Sequence, residues 1–151
     1  MDQVGQPAEN KSQAPDILLI DQNHWDQMLA HIESLPDEEA CGLIGGYITN
    51  TGAKSEIVVP ITNVLHCTNY FKMDPQEQID AFMFFEESGF DLLAIYHSHP
   101  NGLSVPSPTD IKEAFYPDAI YLIWSKQGSN WDCQGYTIQY DNIYRIQVHK
   151  V

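Results

Sequence analysis

His97 and His99 stand one residue apart at the end of the apolar run Leu92-Leu93-Ala94-Ile95-Tyr96, and Asp110 follows across a stretch holding three prolines and one glycine. In an extended segment residues i and i+2 share a side, so both imidazoles can turn a nitrogen toward one cation, with Asp110 as the candidate third ligand. Imidazole is a common neutral zinc ligand, although a lone HxH pair also arises by chance. Ser107 and Asp110 have a simpler explanation of their own. Ser107 suits a helix N-cap, Pro108 the first helical position and Asp110 the third, where a carboxylate faces the positive end of the helix. Both roles are compatible, because a capped helix start holds a carboxylate in a fixed direction.

Two histidines and one aspartate leave a zinc ion with an open fourth position, and water there needs a proton acceptor. Glu39 is the candidate. If Glu39, Cys41 and Leu43 share one strand face, Glu39 enters the site and Glu38 points away. His24, His31, His66 and His149 are read as ordinary surface or core residues.

The elements that must position these groups follow from periodicity and punctuation. Ile17 to Ile20 reads as a strand, followed by Asp21 as a cap and a helix carrying Trp25, Met28, Leu29 and Ile32 to near Pro36. Cys41 to Ile48 and Ile57 to Val59 read as a hairpin around Asn50-Thr51-Gly52. Residues 60 to 73 are irregular, with Tyr70-Phe71 as a possible short strand. Asp74-Pro75-Gln76-Glu77 opens a second helix, stopped by Gly89. The apolar run Phe82 to Phe85 predicts that this helix is largely sandwiched in the core. Asp91 to Tyr96 is the buried strand that delivers the histidines, and a third helix should run from Ser107 to about Tyr116. Strands at Ala119 to Ser125, Trp131 to Gln139 and Ile143 to Val148 complete an α/β (α+β) domain, with about three helices packed on a mixed, curved sheet.

The 151 residues fit one domain, expected over 16–151, with residues 1–15 as a polar, mobile tail. A net charge of −14 argues against nucleic acid or a membrane surface as partner. Cys41, Cys67 and Cys133 form no CxxC pair, which argues against a disulfide framework or a thiolate zinc knuckle. With no signal-like or membrane-spanning run, the expected location is cytoplasmic.

Glu39-Ala40-Cys41-Gly42, His97-Ser98-His99-Pro100 and Ser107-Pro108-Thr109-Asp110 together resemble the JAMM (MPN-plus, Mov34, JAB) metalloprotease family. Its signature is a Glu followed much later by H-[ST]-H-P and S-x-x-D, with ten residues between the second His and the Asp. Residues 100–109 are those ten. The similarity runs from roughly Ile17 to Val148, and its short Cys67 to Met73 stretch resembles the prokaryotic branch.

The resemblance implies one Zn2+ per chain, held by His97, His99 and Asp110 with water as fourth ligand. It also implies Glu39 as general base and later proton donor, and Ser107 as hydrogen-bond donor to the developing oxyanion. Cys41 matches a family position, but is read as packing because the metal supplies the nucleophile. The implied reaction is hydrolysis of an amide at the C-terminal Gly-Gly tail of a ubiquitin-like or sulfur-carrier protein. Asn101 to Pro106 and Cys67 to Met73 are expected to flank the groove for that tail, and the acidity favours a basic carrier. Two other readings stay open: a zinc hydrolase of a small amide or amidine, and a protein-binding module stabilised by its metal.

Overall fold

A computed structural model describes residues 14–151. The expectation of a mobile tail over residues 1–15 thus falls almost wholly outside the described residues; of the two described, Ala14 is buried.

Among the described residues, seven strands and three helices follow in the order β1 (Ile17–Ile20), α1 (Gln22–Ser34), β2 (Cys41–Thr49), β3 (Gly52–Ile61), α2 (Pro75–Ser88), β4 (Asp91–His99), α3 (Pro108–Lys112), β5 (Ile120–Gln127), β6 (Asn130–Gln139) and β7 (Asn142–Lys150). The sheet is mixed, as expected, and its curvature goes to completion. Strands run β1-β3-β2-β4-β5-β6-β7, and β7 pairs back onto β1 in parallel, which leaves no open edge. Beside the site, β4 lies antiparallel to β2 and parallel to β5, placing Cys41 and Ile123 on either side of His97.

Period-two alternation assigns the two faces. Tyr96, Leu122 and Trp124 pack with Met28 and Ile32 of α1, whereas Ile95, Tyr121 and Ile123 pack with Ala81 and Phe85 of α2. Continuing along β4, His97 and His99 fall on the α2 side with Ile95, and Ser98 on the other. Gly42, opposite Tyr96 in the register, has to be glycine: a Cβ there would stand 2.3 Å from the Tyr96 ring. That ring fills the α1-side core, and its hydroxyl lies 2.7 Å from Nδ1 of His31.

The helix signals act as their chemistry predicts. Asp21 accepts the Asn23 N–H, and Asp74 accepts those of Gln76 and Glu77. Gly89 caps α2 in the left-handed region at φ 73°.

Three expectations need correction. Tyr70-Phe71 is not a strand: the Tyr70 carbonyl and the Lys72 N–H bond to the Asn63 side chain, leaving one isolated bridge between Asn63 and Met73. Helix α2 is not sandwiched. Four consecutive apolar residues sweep all round a helix, so Ala81 and Phe85 face the sheet while Ile79, Met83 and Phe84 are exposed. Helix α3 stops at Lys112, short of Tyr116. Pro117 disfavours a helical Tyr116, whose N–H donates to the Tyr121 hydroxyl.

No helix among the described residues is long and apolar enough to cross a membrane.

Candidate metal centre

The strand end and the α3 cap meet as the sequence spacing requires. His97 Nε2 and His99 Nε2 lie 2.9 Å apart, and Asp110 Oδ2 lies 3.2 Å from the first and 3.0 Å from the second. Ligand atoms held at about 2.0–2.1 Å from a tetrahedral ion stand roughly 3.3 Å from one another, so this triangle is close to the size of one face of such a site. The chemistry agrees. His99 Nδ1–H donates to the Leu103 carbonyl at 2.7 Å, so Nε2 is the nitrogen left to face His97 and Asp110, with a lone pair there whenever the ring is neutral. A carboxylate oxygen and a second imidazole nitrogen converge on the same point, and only positive charge among them makes that arrangement favourable.

Asp110 serves two structures at once. Its Oδ2 accepts the Ser107 N–H at 2.9 Å while Ser107 Oγ accepts the Asp110 N–H at 3.0 Å, a complete capping box. The cap fixes the carboxylate toward the histidines. Ser107 uses its oxygen as acceptor there, which leaves the hydroxyl proton to donate.

Glu39 joins this cluster from the far end of the sequence. A ligand atom from each of Glu39, His97, His99 and Asp110 lies within 4.8 Å of the others. Glu39 is only 4% exposed, and its Oε1 is buried without a hydrogen-bond partner among the described residues. Glu38 points away, paired with His66 at 3.0 Å. Glu39 precedes β2, so it belongs to no strand ladder. Its N–H donates to the Cys67 carbonyl at 2.8 Å. Its neighbour Ala40 is tied to β4 through Ser98, whose Oγ accepts the Ala40 N–H and whose N–H donates to the Ala40 carbonyl. The residue between the histidines thus faces away from them and anchors the segment carrying Glu39.

Burial raises the Glu39 carboxyl to about 8, with Asp110 adding to the rise and His99 opposing it. Burial also acts to raise Asp110, but hydrogen bonds from His97 and His99 and the Ser107 N–H outweigh it and hold this carboxyl well below the usual range. His97 is pulled down by burial, which favours the neutral, lone-pair form. Burial opposes the charged form of His99 too, yet Asp110, the Leu103 carbonyl and Glu39 raise it overall. Two carboxylates a few ångströms apart are therefore driven in opposite directions, the pattern expected when one is to carry a proton and the other to hold a cation. The Cys41 thiol is pushed up to about 12 by burial and by Glu38, Glu39 and Glu77, which suits packing and not nucleophilic attack.

A cavity of about 510 Å³ opens beside His97 and Asp110. Tyr70, Phe71 and Met73 line it together with Phe115 and Tyr116. Phe71 stacks on the His97 ring at 4.6 Å. The 101–106 loop bonds to one of the candidate ligands. It supplies the Leu103 carbonyl to His99, and is held by Tyr136, which donates to the Ser104 carbonyl at 2.7 Å, and by Ser104, which donates to Asp132 at 2.6 Å. Asn63, Phe71 and the Leu103 carbonyl are the contributors that spacing alone does not reveal. No sequence signal marks Asn63, which stands in an irregular stretch and whose burial appears only in the fold.

Comparison with known proteins agrees with this geometry. Residues 21–135 match the family model described as prokaryotic homologues of the JAB domain. A CysO-cysteine peptidase of Mycobacterium tuberculosis is 31% identical over 109 residues, covering 72% of this chain and 73% of that protein. A probable TtuB-protein conjugate cleaving protease of Thermus thermophilus is 37% identical over 114 residues, covering 74% and 72%. The solution structure of a Desulfitobacterium hafniense protein superposes with a TM-score of 0.79 at 32% identity, covering 89% of this chain and 92% of that one. The chain belongs to the prokaryotic JAB-domain branch of the JAMM/MPN family.

Proposed function

We propose that the protein is a zinc-dependent peptidase that hydrolyses an amide bond at the C-terminal Gly-Gly tail of a ubiquitin-like or sulfur-carrier protein. The observation that carries this reading is the convergence of His97 Nε2, His99 Nε2 and Asp110 Oδ2 within 2.9–3.2 Å of one another beside a buried Glu39. These three would hold one Zn2+, leaving a position open toward the cavity. Bound there, the metal acts as a Lewis acid that acidifies water and polarises a carbonyl.

The chain's own groups complete the chemistry. Glu39, poised for proton exchange by its burial, takes the proton from the attacking water and later delivers it to the leaving amine. Ser107 donates its hydroxyl proton to the carbonyl oxygen as charge develops there. Cys41 takes no part, so no covalent enzyme intermediate forms. His99 is kept in its ligand tautomer by Leu103.

The substrate class draws on the peptidase and conjugate-cleaving protease named among the relatives. A Gly-Gly tail has no side chains to exclude it from a narrow approach to a buried metal, and the net charge of −14 favours a basic carrier. Incubation of the purified, zinc-loaded protein with ubiquitin-like fusions and with carrier-protein adducts, read by mass spectrometry, tests this. Release of a product ending in Gly-Gly is expected. Efficient cleavage of small amides with no protein tail would replace this reading with that of a small-amide hydrolase.

A further inference from the structure

Asn63 lies outside the HxH and S-x-x-D motifs, yet it holds the Glu39 backbone. Its side chain is buried, and all of its hydrogen-bonding capacity is used. Nδ2 donates to the Glu39 carbonyl and to the Tyr70 carbonyl, each at 3.0 Å. Oδ1 accepts the Leu65 N–H at 3.1 Å and the Lys72 N–H at 3.0 Å. Closing the 64–72 loop requires only the contacts to Leu65, Tyr70 and Lys72. The bond to Glu39 is a further link, and it reaches across 24 residues.

The same loop grips Glu39 a second time, through the Cys67 carbonyl. Both main-chain polar groups of Glu39 therefore end on this loop, and its strand neighbours begin only at Ala40 and Cys41. The loop's other side walls the cavity with Tyr70, Phe71 and Met73, and Phe71 lies flat on His97. Asn63 is the shared joint between the wall and the Glu39 segment.

We propose that Asn63 is a positioning residue for Glu39, its amide clamping the Glu39 backbone to the cavity-lining loop so that the carboxylate is held beside the three ligands. This rests on the reading of Glu39 as the base. A substrate seated in the cavity touches the loop that clamps the Glu39 backbone, so binding and base alignment are linked through one side chain.

The test compares Asn63→Asp, Asn63→Ala and Glu39→Gln in zinc-loaded and metal-free protein. Asn63→Asp keeps oxygen acceptors for Leu65 and Lys72 but replaces the donors facing Glu39 and Tyr70. Zinc content should stay at one per chain, because the ligands sit on β4 and α3. On a Gly-Gly-tailed fusion kcat should fall about ten- to hundredfold, well beyond any rise in KM from the lost bond to Tyr70, and the limb of the pH profile that reports Glu39 should move. In the metal-free Asn63→Asp protein, amide exchange at Glu39 should quicken at least about tenfold, while the β4 amides and those of Leu65 and Lys72, whose acceptor remains, stay protected. An Asn63→Asp protein with unchanged kcat overturns the proposal. So does a loss that scales every point of the pH profile alike and tracks the folded fraction, the result of a packing role alone. If Asn63→Ala does not fold, the Asp variant and its exchange pattern decide. Full turnover by Glu39→Gln overturns the underlying reading, and the proposal with it, whereas loss in Glu39→Gln with none in Asn63→Asp removes the proposal alone.

Discussion

The ligand triad and the glutamate that faces it are built in contrasting ways. His97, His99 and Asp110 come from a strand end and a helix cap within 14 residues, each held by repeating backbone geometry or a local capping box. Glu39 comes from 58 residues upstream of His97, stands before its strand begins, and is held by an irregular loop and one asparagine. Regular structure sets the candidate ligands; a loop carbonyl and one side chain set the glutamate. The two halves should therefore fail separately.

The largest effect should come from breaking the triad. His99→Ala or Asp110→Ala should abolish zinc retention and turnover together, read by metal analysis alongside cleavage of a Gly-Gly-tailed fusion. Breaking the other half, Glu39→Gln should keep the zinc and lower kcat by about 10²–10⁴-fold.

The same variant separates the halves without any substrate. In metal-free protein Glu39 holds its proton up to about pH 8 in the folded state but loses it near the ordinary glutamate value of 4.5 when unfolded. Between those values the folded state binds the extra proton, so its stability falls as pH rises. Glu39→Gln removes that dependence, and its melting temperature should pull ahead of the parent progressively from pH 5 to pH 8. Asp110 works in the opposite sense: its lowered carboxyl stabilises above its ordinary pKa of 3.8 and that contribution is lost on acidification. An Asp110→Asn protein should accordingly show a shallower loss of stability below pH 4 than the parent.

Gly42→Ala forces a Cβ into the Tyr96 ring and should cost about 1–3 kcal/mol of stability, read by denaturant unfolding, with zinc content per folded chain unchanged. The smallest effect is expected from Tyr136→Phe, two steps from the metal. Losing its bond to the Ser104 carbonyl loosens the loop that fixes His99 and should weaken zinc binding roughly two- to tenfold, by competition with a chelator.

What could be read in advance follows the same division. The triad was legible because HxH on a strand and a capped S-x-x-D obey local rules, and α1, α2 and the hairpin because caps, glycines and periodicity are local too. Tyr70-Phe71 misled because Asn63 takes the hydrogen bonds that a strand partner would have made. Phe82 to Phe85 misled because four apolar residues in a row carry no helical phase, so Met83 and Phe84 face outward. The bond from His99 to the Leu103 carbonyl has no signature in the composition of the Asn101 to Pro106 loop. The clamp on Glu39 has no spacing rule at all, since it depends on which loop the closed sheet brings alongside.

The most direct test pairs metal analysis with turnover for the parent and Glu39→Gln proteins on one Gly-Gly-tailed ubiquitin-like fusion. The account predicts one zinc per chain in both and cleavage by the parent alone. Full cleavage by the Glu39→Gln protein, or by parent stripped of metal, would contradict it.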